Sequence, residues 1–175
     1  EIMQAQPEHF VAYERARLLQ MLGQICWWHG DAHMAIEYCR RGLAFLDDTH
    51  TPLRARLLIT LSIPMLYQKD YQTALELADT AIEICQELQL QETLPAAYAT
   101  LGNVLTRTGQ LDRAESALRA AINLADMIGG ARYSRVMAAG YLAQNLALQG
   151  RNDEARTLAE RALLRWRGRA PVRAR

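Results

Sequence analysis

Cys26, His29 and His33 have side chains of the types that bind a transition metal, spaced i, i+3 and i+7. On one uninterrupted helix that spacing places three donors on a shared face. Gly30-Asp31 falls between them, however, and reads as a turn. A structural zinc also takes about four Cys or His ligands. The residues therefore read as a buried cysteine beside two surface histidines, and no metal is expected. Two carboxylate pairs, Asp47-Asp48 and Asp153-Glu154, have the composition needed for general acid–base work. The first lies at a predicted helix end and the second opens a helix, where acidic groups favour the helix dipole. Both read as solvated structural charges. The chain contains no Walker A motif, GxGxxG, HExxH or GxSxG, so nothing points to a phosphate cradle, a zinc protease or an acyl-transfer nucleophile. No catalytic residue and no cofactor is expected.

Two features suit recognition better than catalysis. Trp27 and Trp28 close the first predicted helix; one can pack inward while the other stays exposed as an aromatic anchor, a type favoured at binding hot spots. Six arginines, Arg161, Arg165, Arg167, Arg169, Arg173 and Arg175, lie in the last fifteen residues. Arginine there without interleaved aromatics beyond Trp166 is a poor match to a nucleic-acid surface. The whole chain has 20 basic and 19 acidic residues, and the part before Arg161 has 14 against 19. No global field favours nucleic acid or an anionic membrane, and neither is expected as a partner. No apolar run is long enough for a membrane span. Three cysteines without a CxxC, all in apolar helical pattern, suggest reduced buried thiols and a cytoplasmic protein. The chain starts at Glu1 almost directly in helical pattern and reads as a segment of a longer protein.

The elements that hold these residues emerge from an internal repeat. Four segments, starting at Leu18, Leu57, Ala97 and Ala138, align with spacings of 39, 40 and 41 residues. A leucine followed by a small residue recurs as Leu22-Gly23, Leu61-Ser62, Leu101-Gly102 and Leu142-Ala143. A turn follows at Gly30, Lys69, Gly109 and Gly150. An alanine comes five residues later, at Ala35, Ala74, Ala114 and Ala155. A second small residue comes seven further on, at Gly42, Ala81, Ala121 and Ala162. Two helices whose axes approach closely need small side chains at the crossing, and a turn residue in the left-handed region ends the first of them. Thr51-Pro52 reads as an N-cap with proline at the first helical position, Thr93 with Pro95 as a similar start, Asp31 and Asp70 as N-caps, and Gly129-Gly130 as a stop. Pro64 lies inside helical pattern and should kink the helix or free a carbonyl there. No segment alternates as a strand would. The predicted helices span roughly 8–29, 31–47, 52–68, 71–89, 93–108, 111–128, 131–149 and 152–167.

The pattern LGxxxxxxGxxxxAxxxxxxA resembles the tetratricopeptide repeat (TPR) family over nearly the whole chain. The usual period is about 34 residues, so these pairs are longer, like the repeats of the MalT-like, LuxR-type bacterial transcriptional regulators and of other bacterial signalling proteins. The resemblance implies an all-α, right-handed superhelix of four helix pairs over residues 1–167, followed by a basic tail or linker at 168–175. It further implies a non-catalytic domain that binds a protein, a peptide or a small effector for transcription regulation or signal transduction. The rivals are a scaffold or homo-oligomerisation module of a signalling enzyme, and an enzyme's accessory or catalytic domain. The family pattern places the inner binding wall on the first helix of each pair. Here that gives Arg17, Gln20, Gln24, Trp27 and Trp28, then Arg56, Thr60, Ile63 and Tyr67, then Thr100, Asn103 and Arg107, then Tyr141, Gln144 and Leu148. Of the Lys/Asn/Arg set that clamps a peptide carboxylate in some TPRs, Asn103 alone matches. The last helix carries Ala155, Leu158, Ala159, Ala162, Leu163 and Trp166 on one side. An uncapped array end leaves such a side open, so Leu158, Leu163 and Trp166 are expected to form an apolar strip for self-association, as in a homodimer through the terminal helix.

Overall fold

The computed structural model describes the backbone of residues 7–167 and the side chains of residues 10–164. Among the described residues there are eight helices and no strand: α1 (Pro7–Trp28), α2 (Ala32–Ala44), α3 (Pro52–Tyr67), α4 (Tyr71–Glu87), α5 (Leu94–Arg107), α6 (Leu111–Ile128), α7 (Arg132–Leu148) and α8 (Asn152–Arg167). The basic tail expected at 168–175 lies outside the described residues. Each odd helix packs against the even helix that follows it, as the repeat requires. The second helix ends three residues earlier than its sequence pattern suggests.

The helix ends have the chemistry read from the sequence. Asp31 accepts a hydrogen bond from the Met34 amide at 3.0 Å, and Asp70 accepts from Thr73 at 3.2 Å. Thr51 accepts from Arg54 at 3.1 Å, with Pro52 behind it. Gly129 closes α6 in the left-handed region. The four interhelical turns share one backbone state, with φ of 84° at Gly30, 78° at Gly109, 79° at Gly150 and 66° at Lys69. A side chain at that angle costs about 1–2 kcal/mol, so Lys69 is a strained version of the turn that glycine makes elsewhere. Helix α3 continues through Pro64 to Tyr67. The ring removes the N–H that would have met the Thr60 carbonyl and crowds that carbonyl.

The chain divides into two compact units, Glu1–Thr93 and Leu94–Arg175. In the first unit the small residues lie where helices touch. A Cβ on Gly23 would meet the Cys39 Sγ at 2.6 Å and the Ala35 carbonyl at 3.3 Å. One repeat later, the Ser62 hydroxyl donates to the Ala74 carbonyl at 2.7 Å. Both contacts join the same two repeat positions. A Cβ on Gly42 would meet Leu57 of the following pair at 2.8 Å. Cys39 and Cys85 are buried, and Cys26 is half-buried. Desolvation, with Cys26 nearby as a second cause, pushes the Cys39 thiol up to about 12, and desolvation pushes Cys85 up to about 11. Neither is a reactive thiolate near neutral pH.

In the second unit, Ala99, Leu118, Ala121, Ala138, Leu142, Leu146 and Ala155 form one buried cluster spanning all four helices. Gly102 lies against Leu118, whose Cγ is 2.4 Å from where a Cβ would stand. Of the apolar side predicted for α8, Ala155 and Ala162 are buried, Leu158 and Ala159 are half-buried, and Leu163 is exposed; the Trp166 side chain lies outside the described residues. The side read as one open strip is therefore divided. Its alanines are taken up by close packing within the fold, and Leu163 remains outside.

Candidate functional site

In the first unit, the predicted wall residues come together where α1 meets α3. Residues 20, 24 and 27–28 follow helical spacing and share a side of α1. Gln20 Nε2 donates to Thr60 Oγ1 at 3.1 Å, and the Thr60 hydroxyl donates to the Arg56 carbonyl at 2.8 Å. Near the C-terminal end of both helices, the Trp27 and Tyr67 rings meet at 4.9 Å between centroids with a 56° tilt. Such tilted aromatic pairs contribute about 0.5–1.5 kcal/mol beyond their burial. Trp28 is 62% exposed, and Tyr67 is 52% exposed. One tryptophan packs and its neighbour projects, as expected of the pair. Gln24 and Ile63 are half-buried, while Arg56 and Arg17 are exposed. Arg17 pairs with Glu14 at 3.1 Å, an exposed pair of small energetic weight.

The second unit treats its wall residues differently. Arg107, Gln144 and Leu148 are exposed, Tyr141 is half-buried against the core cluster, and Thr100 and Asn103 are buried. Asn103 is 1% exposed, and neither Nδ2 nor Oδ1 has a hydrogen-bond partner. An orphaned buried amide costs about 1–3 kcal/mol, which the fold carries as a local weakness.

Sequence reasoning missed a polar network in the same unit. Asn145, fully buried, donates through Nδ2 to Thr106 Oγ1 at 3.2 Å and to the Leu111 carbonyl at 3.1 Å. Its Oδ1 accepts from Gln149 Nε2 at 2.7 Å. The Gln149 amide also reaches Glu115 Oε2 at 3.1 Å, where Arg151 Nη1 donates at 2.8 Å. Arg119 donates to the other oxygen of Glu115 at 2.7 Å. The Arg119 hydrogen bond, ahead of those from Gln149 and Arg151, holds the Glu115 carboxyl below its ordinary value. The available signal was Asn145 itself, a polar residue in a column that elsewhere reads Ile25, Pro64 and Val104. The network ties α5, α6 and α7 to the start of α8.

The other chemical candidates are accounted for structurally. Asp48 binds Arg54 at 3.0 Å, and the Asp47 carbonyl accepts from the same guanidinium at 3.2 Å, pinning the α2–α3 loop. Glu154 pairs with Arg151, and Asp153 lies 3.9 Å from Arg156. Gly30-Asp31 separates His29 from His33, both exposed, and among the described residues no group of three His, Cys, Asp or Glu side chains is placed to hold a metal. A cleft of about 360 Å³, also unforeseen, opens at the other end of the first helix pair between Tyr13, Phe45, Asp47 and Thr49. The Arg15 guanidinium lies 5.8 Å from the Phe45 ring centroid.

This geometry sets aromatic faces, amides and hydroxyls along first helices. Residues 93–167 match the family model described as tetratricopeptide repeat. That stretch carries the sequence pattern of a tetratricopeptide repeat. The first unit shares its landmarks at Gly23, Ala35, Ser62 and Ala74. No curated protein matches the sequence. Among solved structures, the chain is similar to a Rap protein complexed with Competence and Sporulation Factor, with a TM-score of 0.78 and 17% identity, covering 86% of this chain and 42% of that one. It is also similar to BtubC from P. vanneervenii (0.71, 16%, covering 91% and 67%). A third likeness is to a putative kinesin light chain of TPR-like repeats from Podosopora anserina (0.64, 20%, covering 92% and 77%). The chain spans less than half the length of the Rap protein. At these identities the likeness establishes the TPR fold. No helix among the described residues is long and apolar enough to cross a membrane.

Proposed function

We propose that this chain is a non-catalytic module that binds a protein or peptide through its first helices, within a cytoplasmic bacterial signalling or transcriptional regulator. The observation that carries the reading is the α1–α3 surface. Trp28 and Tyr67 stand largely exposed beside Trp27, and Gln20 and Thr60 continue the same side with polar groups. Rigid aromatics next to hydrogen-bonding groups are what an extended chain needs, one for side-chain burial and the other for backbone recognition. The Rap protein of the same fold, solved with Competence and Sporulation Factor, supports a peptide as the first ligand class to try. The length of the repeats supports a MalT-like regulator as the parent.

The test is selection of peptides from a displayed library on the purified chain, followed by calorimetry with Trp28→Ala and Tyr67→Ala. A hot-spot tryptophan is worth about 2 kcal/mol or more, so Trp28→Ala should weaken binding about thirtyfold while the melting temperature stays put. Peptides that bind both variants as tightly as the original chain would place recognition elsewhere. A second reading, a self-association module, is favoured by the apolar outer side of α1.

A further inference from the structure

Helix α1 is longer than the helix it pairs with, 22 residues against 13. The two cross at Gly42, where a Cβ would stand 3.4 Å from the Ala16 carbonyl. Leu43 and Ala44 alone follow Gly42 in α2, whereas α1 begins at Pro7, well before Ala16. The early turns of α1 therefore run past the end of α2. Ala12 lies one turn before Ala16 on the side that packs on α2. It faces Phe45 and the α2–α3 loop across the cleft of about 360 Å³, which Ala12, Tyr13, Phe45, Leu46, Asp47 and Thr49 line with Thr51. A volume of this order accepts a small molecule.

The loop wall of the cleft is held in place. The Arg54 guanidinium donates to the Asp47 carbonyl and to Asp48 Oδ1, Thr51 caps α3, and His50 pairs with Glu87 of α4. Arg54 thereby balances Asp48, while the exposed Asp47 carboxylate makes no ion pair among the described residues. The Tyr13 and Thr49 hydroxyls are likewise without a hydrogen-bond partner there. Tyr13 and Phe45 are 38% and 39% exposed, so their rings are open to a ligand.

The lining thus offers two aromatic rings, an uncompensated carboxylate, free hydroxyl oxygens and the apolar Ala12 and Leu46; none of its residues is cationic. A primary ammonium on a short alkyl chain complements this set. The carboxylate balances its charge, the oxygens accept its N–H groups, the ring faces attract it, and the chain lies on the apolar part. The Arg15 guanidinium, 5.8 Å from the Phe45 centroid, already uses that ring in this way. We propose that the cleft binds a small alkylammonium ligand such as a linear diamine, with Asp47 as counter-ion and Tyr13 and Phe45 as walls. Tyr13 precedes Trp28 by fifteen residues of helix, about 22 Å along the axis. The inference is therefore independent of the peptide-binding reading.

The test is titration of the isotope-labelled chain with cadaverine, followed through backbone amide shifts, which also report that each variant is folded. Shifts are expected at Ala12, Tyr13 and along the α2–α3 loop, with Trp28 and Tyr67 unmoved. Asp47→Asn should weaken binding about tenfold, since a charge-assisted contact is lost; the Asp47 carbonyl that anchors Arg54 stays. Phe45→Leu keeps the apolar bulk, removes a ring face and should weaken binding about two- to fivefold. Arg15→Gln takes a competing cation off the same ring and should tighten it. Asp153→Asn, which changes a carboxylate of the second unit, should leave it unchanged, and uncharged pentanol should bind far more weakly. No shift at the cleft, an undiminished affinity in Asp47→Asn, an equal loss in Asp153→Asn, or weaker binding by Arg15→Gln would each overturn the proposal.

Discussion

Gly102 and Gly140 are both helical glycines, and replacing each with alanine separates close packing from helix propensity. Alanine in place of glycine inside a helix gains about 1 kcal/mol. At Gly140 a new Cβ meets no atom within 4 Å, so propensity acts alone. Gly140→Ala should raise the melting temperature by about 2–4 °C for a chain of this size. At Gly102 the same Cβ would stand 2.4 Å from Leu118 Cγ and 2.6 Å from Cδ2. Leu118 cannot swing aside, because it is fully buried among Ala99, Ala121, Ala138 and Leu142. Overpacking of this kind costs about 1–3 kcal/mol, which cancels or exceeds the propensity gain. Urea melts followed by circular dichroism should therefore place Gly102→Ala about 1–3 kcal/mol below Gly140→Ala. The double variant Gly102→Ala/Leu118→Ala adds a check. Leu118→Ala alone costs about 2–5 kcal/mol, and the methyl at 102 fills part of the space it leaves, so the pair should lose less than the sum of the single losses. A Gly102→Ala chain as stable as Gly140→Ala would refute the claim that small residues here are demanded by helix approach.

Two more outcomes follow from the network in the second unit. Asn145→Ala removes three hydrogen bonds from a fully buried position, to Thr106, the Leu111 carbonyl and Gln149, and should cost about 1–3 kcal/mol in the same melts. The folded-state pKa of Glu115 lies below its ordinary 4.5, so its contribution is present above 4.5 and lost as pH falls through the folded value; Glu115→Gln should be less stable at neutral pH and show a shallower loss of stability on acidification in pH-dependent urea melts.

The fold was legible because it rests on a local steric demand. Gly23 and Ser62 are small where a helix crosses its partner, and Ala35 and Ala74 answer them, at spacings the sequence displays without coordinates; Gly102 keeps the spacing but lies against Leu118. The turns were legible for the same reason, and Lys69 was placed as a turn by register alone. The binding surface was partly legible. Helical spacing put Gln20 and Trp27 on one side of α1, yet only the structure shows that Thr60 and Tyr67 reach them. Register alone did not separate the exposed Arg107, Gln144 and Leu148 from the buried Thr100 and Asn103, since burial depends on which neighbouring helix covers the column. The Glu115–Gln149–Asn145 network was invisible because its members are brought together by the stacking of pairs, with hydrogen bonds spanning more than thirty residues of chain.

The same distinction explains why identical positions have different fates along the array. Leu22, Leu61 and Leu142 occupy one repeat position and carry one side chain, yet the last two are buried and the first is open. Repeat sequence sets what a surface can bind, and the presence of a neighbouring pair decides whether the fold has already bound it. Leu18, Leu22 and Ile25 have the apolar character of a stacking column, and among the described residues they stand 56%, 41% and 44% exposed. Within this chain the complement of such a column takes one recurring form, a second helix with a small residue at its crossing and an aliphatic residue beside it. Gly42 lies against Leu57 of α3, and Ala121 and Ile122 pack with Ala138 and Leu142 of α7; Ala162 with Leu163 repeats the pair on α8, with Leu163 exposed.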